Sequence, residues 1–255
     1  MVYHPLLGMV LAGEPLVRWD WIFDRLDVVW ARTWEHLSLT GMAVGIGFGI
    51  AMVMALVAIR WRWSYEPLAA FTGLLYAIPS LALFLILVPI WGFGSIVPPL
   101  TALVSYTLLI LLRNIVAGID GVPEAVREAA DGMGYRRWQR LLRVDFPLAV
   151  PAIIAGLRIA TVTIIGLVTV TALEGMGGYG ALITDGLRRN FPTPIVLGSG
   201  LSIAMAIAFD LLFVLAERLA APWVRRREEA VADGPGSRRR LLTLHRGSTA
   251  EAARG

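Results

Sequence analysis

From Leu37 to Ile59 the chain runs for 23 residues without a charged side chain. At 1.5 Å per residue a helix of that length crosses a hydrocarbon core of about 30 Å. A second uncharged stretch, Pro67 to Leu112, is long enough for two crossings. Trp91-Gly92-Phe93-Gly94 and Pro98-Pro99 interrupt it and predict a turn near the interface. Further spans fit Leu148–Ala172 and Ile195–Leu215, each carrying one ionisable residue, Arg158 and Asp210. These runs predict an all-α integral membrane protein with about five transmembrane helices. They exclude a soluble helical domain, whose core helices rarely stay uncharged for so long. The 57% apolar content agrees with this reading.

The basic residues orient the bundle. All 23 are arginine. Arg60 and Arg62 follow the first span, and Arg127, Arg136, Arg137, Arg140 and Arg143 lie between the third and fourth. Arg218, Arg225, Arg226, Arg227, Arg238, Arg239 and Arg240 follow the fifth. An excess of arginine marks cytoplasmic segments, so the N-terminus is expected outside and the C-terminus inside. Arg188 and Arg189, between spans four and five, break the rule. Residues 1–32 are expected as an extracytoplasmic segment. Within it Trp19, Ile22, Phe23, Leu26, Val29 and Trp30 share one face of a predicted interfacial helix over residues 19–30. Residues 33–219 form the membrane domain. Residues 220–255, rich in arginine, glycine and serine, are expected as a disordered cytoplasmic tail that can touch anionic lipid.

Several functions are excluded by what the chain lacks. It has no cysteine, and its three histidines (His4, His36, His245) are scattered and read as surface or interfacial residues. That leaves no metal cluster and no nucleophile with a base beside it. Without a lysine there is no GxxxxGK[ST] phosphate loop, so ATP cannot be bound in that way. The charge of +4 lies in membrane-flanking loops and is no nucleic-acid signal. No catalytic residue, resident cofactor or metal is expected.

The informative segment is the cytoplasmic connection 118–147. Pro123 suits a helix start, Glu124 complements the helix dipole, and Ala125, Ala129 and Ala130 are read as a small-residue face. Gly132 and Gly134 predict its end. A second short helix is expected over Arg136–Leu142, with Pro147 closing the loop. A plain connector would need only a few residues. The expected product is a basic helical elbow projecting from the membrane.

Glu128-Ala129-Ala130, three residues, Gly134, nine residues, then Val144-Asp145-Phe146-Pro147 resembles the Glu-Ala-Ala loop of ABC-importer permeases. The family pattern is kept in spacing, with Val for Ile and Phe for Leu. A narrower resemblance, from about Thr33 to Arg218, is to the glycine betaine, carnitine and choline permeases. It rests on Ile78-Pro79-Ser80, Leu112-Arg113-Asn114, Ala155-Gly156-Leu157-Arg158, Gly177-Gly178-Tyr179-Gly180, Asp210 and Glu217-Arg218. The resemblance implies a multi-pass subunit of the bacterial inner membrane that is not an enzyme. Its implied partners are a cytoplasmic ABC ATPase dimer, which binds the ATP, a second permease subunit (identical or paralogous) and an extracytoplasmic substrate-binding protein. Glu128, Ala129, Ala130 and Gly134 are carried over as the contact of a coupling helix with the ATPase. An amino acid or sulfonate permease of the same mechanism stays open, as does an ion-coupled secondary transporter, which would call for paired broken helices and no docking loop.

Arg158 and Asp210 should face the bundle or a watery path, since a charge at mid-membrane costs at least ~2.5 kcal/mol. Pairing with each other or with backbone carbonyls is favoured over a role in transport, and for Asp210 the arginines of the elbow are the alternative partners. Arg113 and Asn114 end the third span. Gly41, Gly45, Gly47 and Gly49 are read as one close-packing face of the first. Trp19, Trp21, Trp30, Trp34, Trp61, Trp63 and Trp91 read as interfacial belt residues. Glu174 departs from the family, which carries a small or aliphatic residue there. It is expected at the outer mouth, in water or paired with Arg188 or Arg189, or else drawing in a cationic solute.

Overall fold

The structure, a computed structural model, describes residues 16–222. The expected tail beyond residue 222, His4 and His245 lie outside it. Helices α1 (Trp19–Phe23) and α2 (Leu26–Arg60) lead through a 3-10 turn to α3 (Tyr65–Ala77) and α4 (Ser80–Trp91). Helix α5 (Val97–Asp120) then returns to the elbow. There α6 (Glu124–Gly132) and α7 (Arg137–Arg140) precede α8 (Phe146–Val168). The chain ends in α9 (Tyr179–Arg189) and α10 (Pro192–Ala220). No strand occurs among the described residues. Four helical segments are long and apolar enough to cross a membrane, and α3 with α4, bent against each other, passes the same test only as a pair.

Helix α5 is the axis. Leu103, Leu111, Leu112 and Ile115 are fully buried, and it packs against α2, α3, α4 and α8. Helix α2 approaches it through Ala43, Gly47, Ala51 and Ala55, a buried small residue every fourth position. Small side chains let membrane helices gain dispersion contacts where no hydrophobic force drives them together. A Cβ on Gly47 would stand 2.9 Å from Thr107 Cβ, inside contact distance. The expected four-glycine face is therefore corrected. At 100° per residue Gly47 points away from Gly41, Gly45 and Gly49, around which the chain leaves open space. Gly47→Val should destabilise the bundle by about 1–3 kcal/mol through overpacking. A thermal melt in detergent would read this, and an unchanged Tm would refute so close an approach of α2 and α5.

The expected break between spans two and three falls at Gly92 and Gly94, both with positive φ. Within span two the helix bends by 89° at Ile78-Pro79. Proline lacks the N–H that would bond the preceding turn, and it drives its predecessor out of helical geometry. Ile78 has φ −69° and ψ 125°. The Tyr106 hydroxyl donates to the Ile78 carbonyl that the break sets free.

Two expected elements have different boundaries. The predicted interfacial helix 19–30 is split: α1 ends at Phe23, and Leu26 already belongs to α2, which runs unbroken for 35 residues. No helix breaker separates Leu26 from the apolar run, so the span propagates outward. The second elbow helix is likewise continuous with span four through a π-turn, Leu141–Asp145. Pro147 sits inside that helix and does not close a loop. It offers no N–H to the carbonyl of residue 143, and the wider turn just before it absorbs the mismatch.

Candidate functional site

At the elbow, Pro123 (φ −57°, ψ 137°) caps α6 from an extended conformation, so the first helical residue is Glu124. Glu128, Ala125 and Ala129 are exposed, and Met133 is 70% exposed. Ala130 is 1% exposed and faces the chain's own interior. The predicted small-residue face is thus Ala125 with Ala129, four positions apart, and Ala130 serves packing instead. Gly134 turns the chain with φ +84°, a conformation that costs any residue with a Cβ. Trp138 and Leu142 also stand exposed on the next leg. The whole is an amphipathic elbow with apolar side chains on its outer surface.

Behind that surface lies a charge cluster that the sequence reading did not single out. Asp145 is 4% exposed and lies 3.4 Å from Arg127 Nε and 3.6 Å from Arg140 Nε. Arg127 also donates to the Ile119 carbonyl, and Arg140 pairs with Asp131. One carboxylate therefore ties α6, the second leg and, through Arg127, the end of α5 together. Beside it a cavity of about 590 Å³ lies between the elbow and the C-terminal end of α2 at Ile59 and Arg60. Asp145 occupies the variable position of the Val-Asp-Phe-Pro motif, so its chemistry could have been noticed from its two basic neighbours in the loop.

Inside the membrane Arg158 and Asp210 form a two-pronged ion pair, Nη2 to Oδ2 at 2.8 Å with Nε donating to Oδ1. Their side chains keep 39% and 33% of their exposure. Asp210 pairs with Arg158 and not with elbow arginines. The Asn114 amide donates to the Ile110 carbonyl at 2.8 Å, and Gly156 lets α8 pass against it. Arg113 is exposed and has no ionic partner among the described residues. The backbone of Glu174 ends a 3-10 turn, Val170–Glu174. Its side chain lies outside what the structure describes, and Arg189 pairs with Asp185 at 2.8 Å.

The end opposite the elbow holds a latch also absent from the sequence reading. Glu35 Oε2 accepts the Gly178 N–H and an Arg32 guanidinium N–H, both at 2.8 Å. His36, expected at a surface, is fully buried and stacks on Tyr179 at 4.6 Å. Its Nε2 lies 3.0 Å from the Ile165 carbonyl and its Nδ1 3.3 Å from the Tyr179 N–H. A carbonyl only accepts and an amide N–H only donates, so this pairing requires the neutral ring with its proton on Nε2. Together Glu35 and His36 cap the N-terminus of α9 from another helix, where the orphan N–H groups favour an acceptor. Gly178 makes the entry with φ +76°. The adjacent Glu35-His36 pair heading an uncharged run was the available signal. Among the described residues no three His, Asp or Glu side chains come together as a metal site.

Three comparisons bear on this arrangement. Residues 41–228 match the family model described as binding-protein-dependent transport system inner membrane component. The osmoprotectant import permease protein OsmW of Salmonella typhimurium is 33% identical over 196 residues, 75% of this chain and 91% of that protein. The glycine betaine/carnitine/choline transport system permease protein OpuCB of Bacillus subtilis is 33% identical over 191 residues, 75% and 88% of the two chains. A chain of the MetNI methionine ABC transporter, solved in inward-facing conformations, superposes with a TM-score of 0.67 at 17% identity. The match covers 76% of this chain and 96% of that one.

Proposed function

We infer cargo and assembly from one premise: this chain belongs to the binding-protein-dependent transport system inner membrane components. It is a permease subunit of an ABC importer in the bacterial inner membrane and not an enzyme. Its cargo is glycine betaine or a related quaternary ammonium osmoprotectant. The observation that carries this is the similarity to osmoprotectant permeases along three quarters of the chain.

The elbow is the docking point for a cytoplasmic ATPase dimer, which binds and hydrolyses the ATP. Ala125 and Ala129 permit close approach, Glu128 supplies a polar contact, and Gly134 sets the turn. A second permease subunit, a copy or a paralogue, completes the membrane part, and an extracytoplasmic binding protein delivers solute at the end opposite the elbow. The N-terminus lies outside and the membrane domain spans residues 33–219.

The test is uptake of labelled glycine betaine, carnitine, choline, methionine and taurine by vesicles holding the assembled transporter. Import of methionine or taurine alone would overturn the cargo. Ala129→Asp places a carboxylate in the docking contact, and Gly134→Val puts a branched side chain at φ +84°. Both variants should insert normally, yet lose at least tenfold of the ATP hydrolysis stimulated by loaded binding protein, the loss expected from about 1.4 kcal/mol or more. Parental stimulation in both would remove the coupling role.

A further inference from the structure

At the end of the molecule opposite the elbow, α1, the start of α2, the loop after α8, and α9 enclose a cavity of about 480 Å³. That is within the range of small-molecule sites. Its floor is apolar, with Leu182 and Ala172 buried. Its walls carry four guanidinium groups, those of Arg25, Arg32, Arg188 and Arg189. Arg32 is matched by Glu35 and Arg189 by Asp185, each at 2.8 Å. Arg25 and Arg188 have no carboxylate partner among the described residues. These are arginines on the side of the membrane that the charge rule keeps poor in them.

Two aromatic rings share the cavity, and only one is free. Trp21 carries the Arg25 guanidinium over its ring at 5.1 Å and meets the Phe191 ring edge-on at 5.5 Å. Phe93 is 72% exposed at the wall. An alkylammonium group is attracted to such a ring face, and a carboxylate is held by guanidinium donors. The cavity thus offers separate places for the two ends of a small zwitterion.

We propose that this outer cavity is a solute site of the permease itself, in which Arg188 and Arg25 receive the carboxylate of a betaine while its quaternary ammonium lies against Phe93. The site makes the transporter prefer carboxylate-bearing zwitterions over choline, a cation whose hydroxyl offers arginine no charge. The proposal rests on the osmoprotectant reading above. It gives the opposite preference to a mouth in which Glu174, next in sequence to the wall residue Leu173, draws in cations.

The test uses the permease–ATPase complex in lipid nanodiscs without binding protein, titrated with labelled glycine betaine and labelled choline. Betaine should bind at least tenfold more tightly than choline. Arg188→Gln and Arg25→Gln should each weaken betaine binding about tenfold, the loss expected for one charge-assisted contact, and leave choline unchanged. Arg188→Lys should retain part of the affinity, and Glu174→Gln should leave the preference standing. Equal binding of the two solutes, or parental betaine affinity in Arg188→Gln, overturns the site. If the arginine variants bind betaine normally but lose stimulation by loaded binding protein, the carboxylate belongs to that docked protein, and the solute site is refuted. Uptake by the complete transporter separates the two levels. Import of any osmoprotectant keeps the functional reading when the cavity fails, and import of none overturns both.

Discussion

Asp210→Leu should cut the amount of folded permease in the membrane by at least tenfold, and Arg158→Met added to it should restore most of the loss. Arg158 stands about 18 Å along α8 from Phe146, deep in the bilayer at 1.5 Å per residue. Without Asp210 its guanidinium has no carboxylate within 4 Å among the described residues. An unmatched arginine at mid-membrane is costly enough on insertion scales for the tenfold loss. Replacing both partners by apolar groups removes the charge and its need together, which in buried pairs is often neutral. Quantified membrane levels and melts of the two single variants and the double give the coupling directly. A double variant as poor as the singles, with uptake abolished, would instead assign the pair to the transport path.

The second large effect is expected at Asp145. Asp145→Ala removes the charge that Arg127 and Arg140 share and leaves them only Glu124, at 3.7 Å, and Asp131, so the loss stays below the ~3–5 kcal/mol of a fully broken buried pair. Helices α2, α5 and α8 still pack on one another through their own buried residues. The protein should therefore insert, while the elbow loosens and coupling fails. Faster trypsin cleavage at Arg136 and Arg137 would report the loosening, with loss of stimulated ATP hydrolysis beside it. Both contacts exceed hydrogen-bond length, so charge more than shape holds them. Asp145→Asn should for that reason behave like the alanine variant. An asparagine variant with parental protease resistance would show that packing alone holds the elbow.

How much of this was legible in the sequence depended on the range of the interaction. The spans follow from uncharged length, and the elbow from a motif with fixed spacing, both local properties of the chain. The Arg158–Asp210 pair was deducible because two membrane charges of opposite sign have few alternatives. Glu35 and His36 were not, because their partners lie at Gly178, Tyr179 and Ile165, more than a hundred residues away. Their place at the head of an uncharged run marks the pair, but not the partners that bury it. Ala130 was misassigned for a related reason. Composition gives its size, but only the packing of α6 decides which of two adjacent alanines turns inward. The glycines of α2 repeat this lesson, since spacing sorts them into two faces and only the neighbours tell which is occupied.

The bend at Ile78-Pro79 has a consequence for what can surround this subunit. Where α3 stops, the carbonyls of its last turn lose their helical donors, and where α4 starts, the N–H groups of Ser80, Leu81 and Ala82 have no preceding turn. Tyr106 satisfies the Ile78 oxygen, while Ala77 and Pro79 lie exposed. Hydrocarbon tails offer neither donor nor acceptor, so a lipid annulus cannot close over such backbone. Where this break sits within the hydrocarbon core, the ring of lipid around the chain is interrupted. There the protein must be wetted or pressed against another polypeptide, and that sets the direction from which the membrane is kept out.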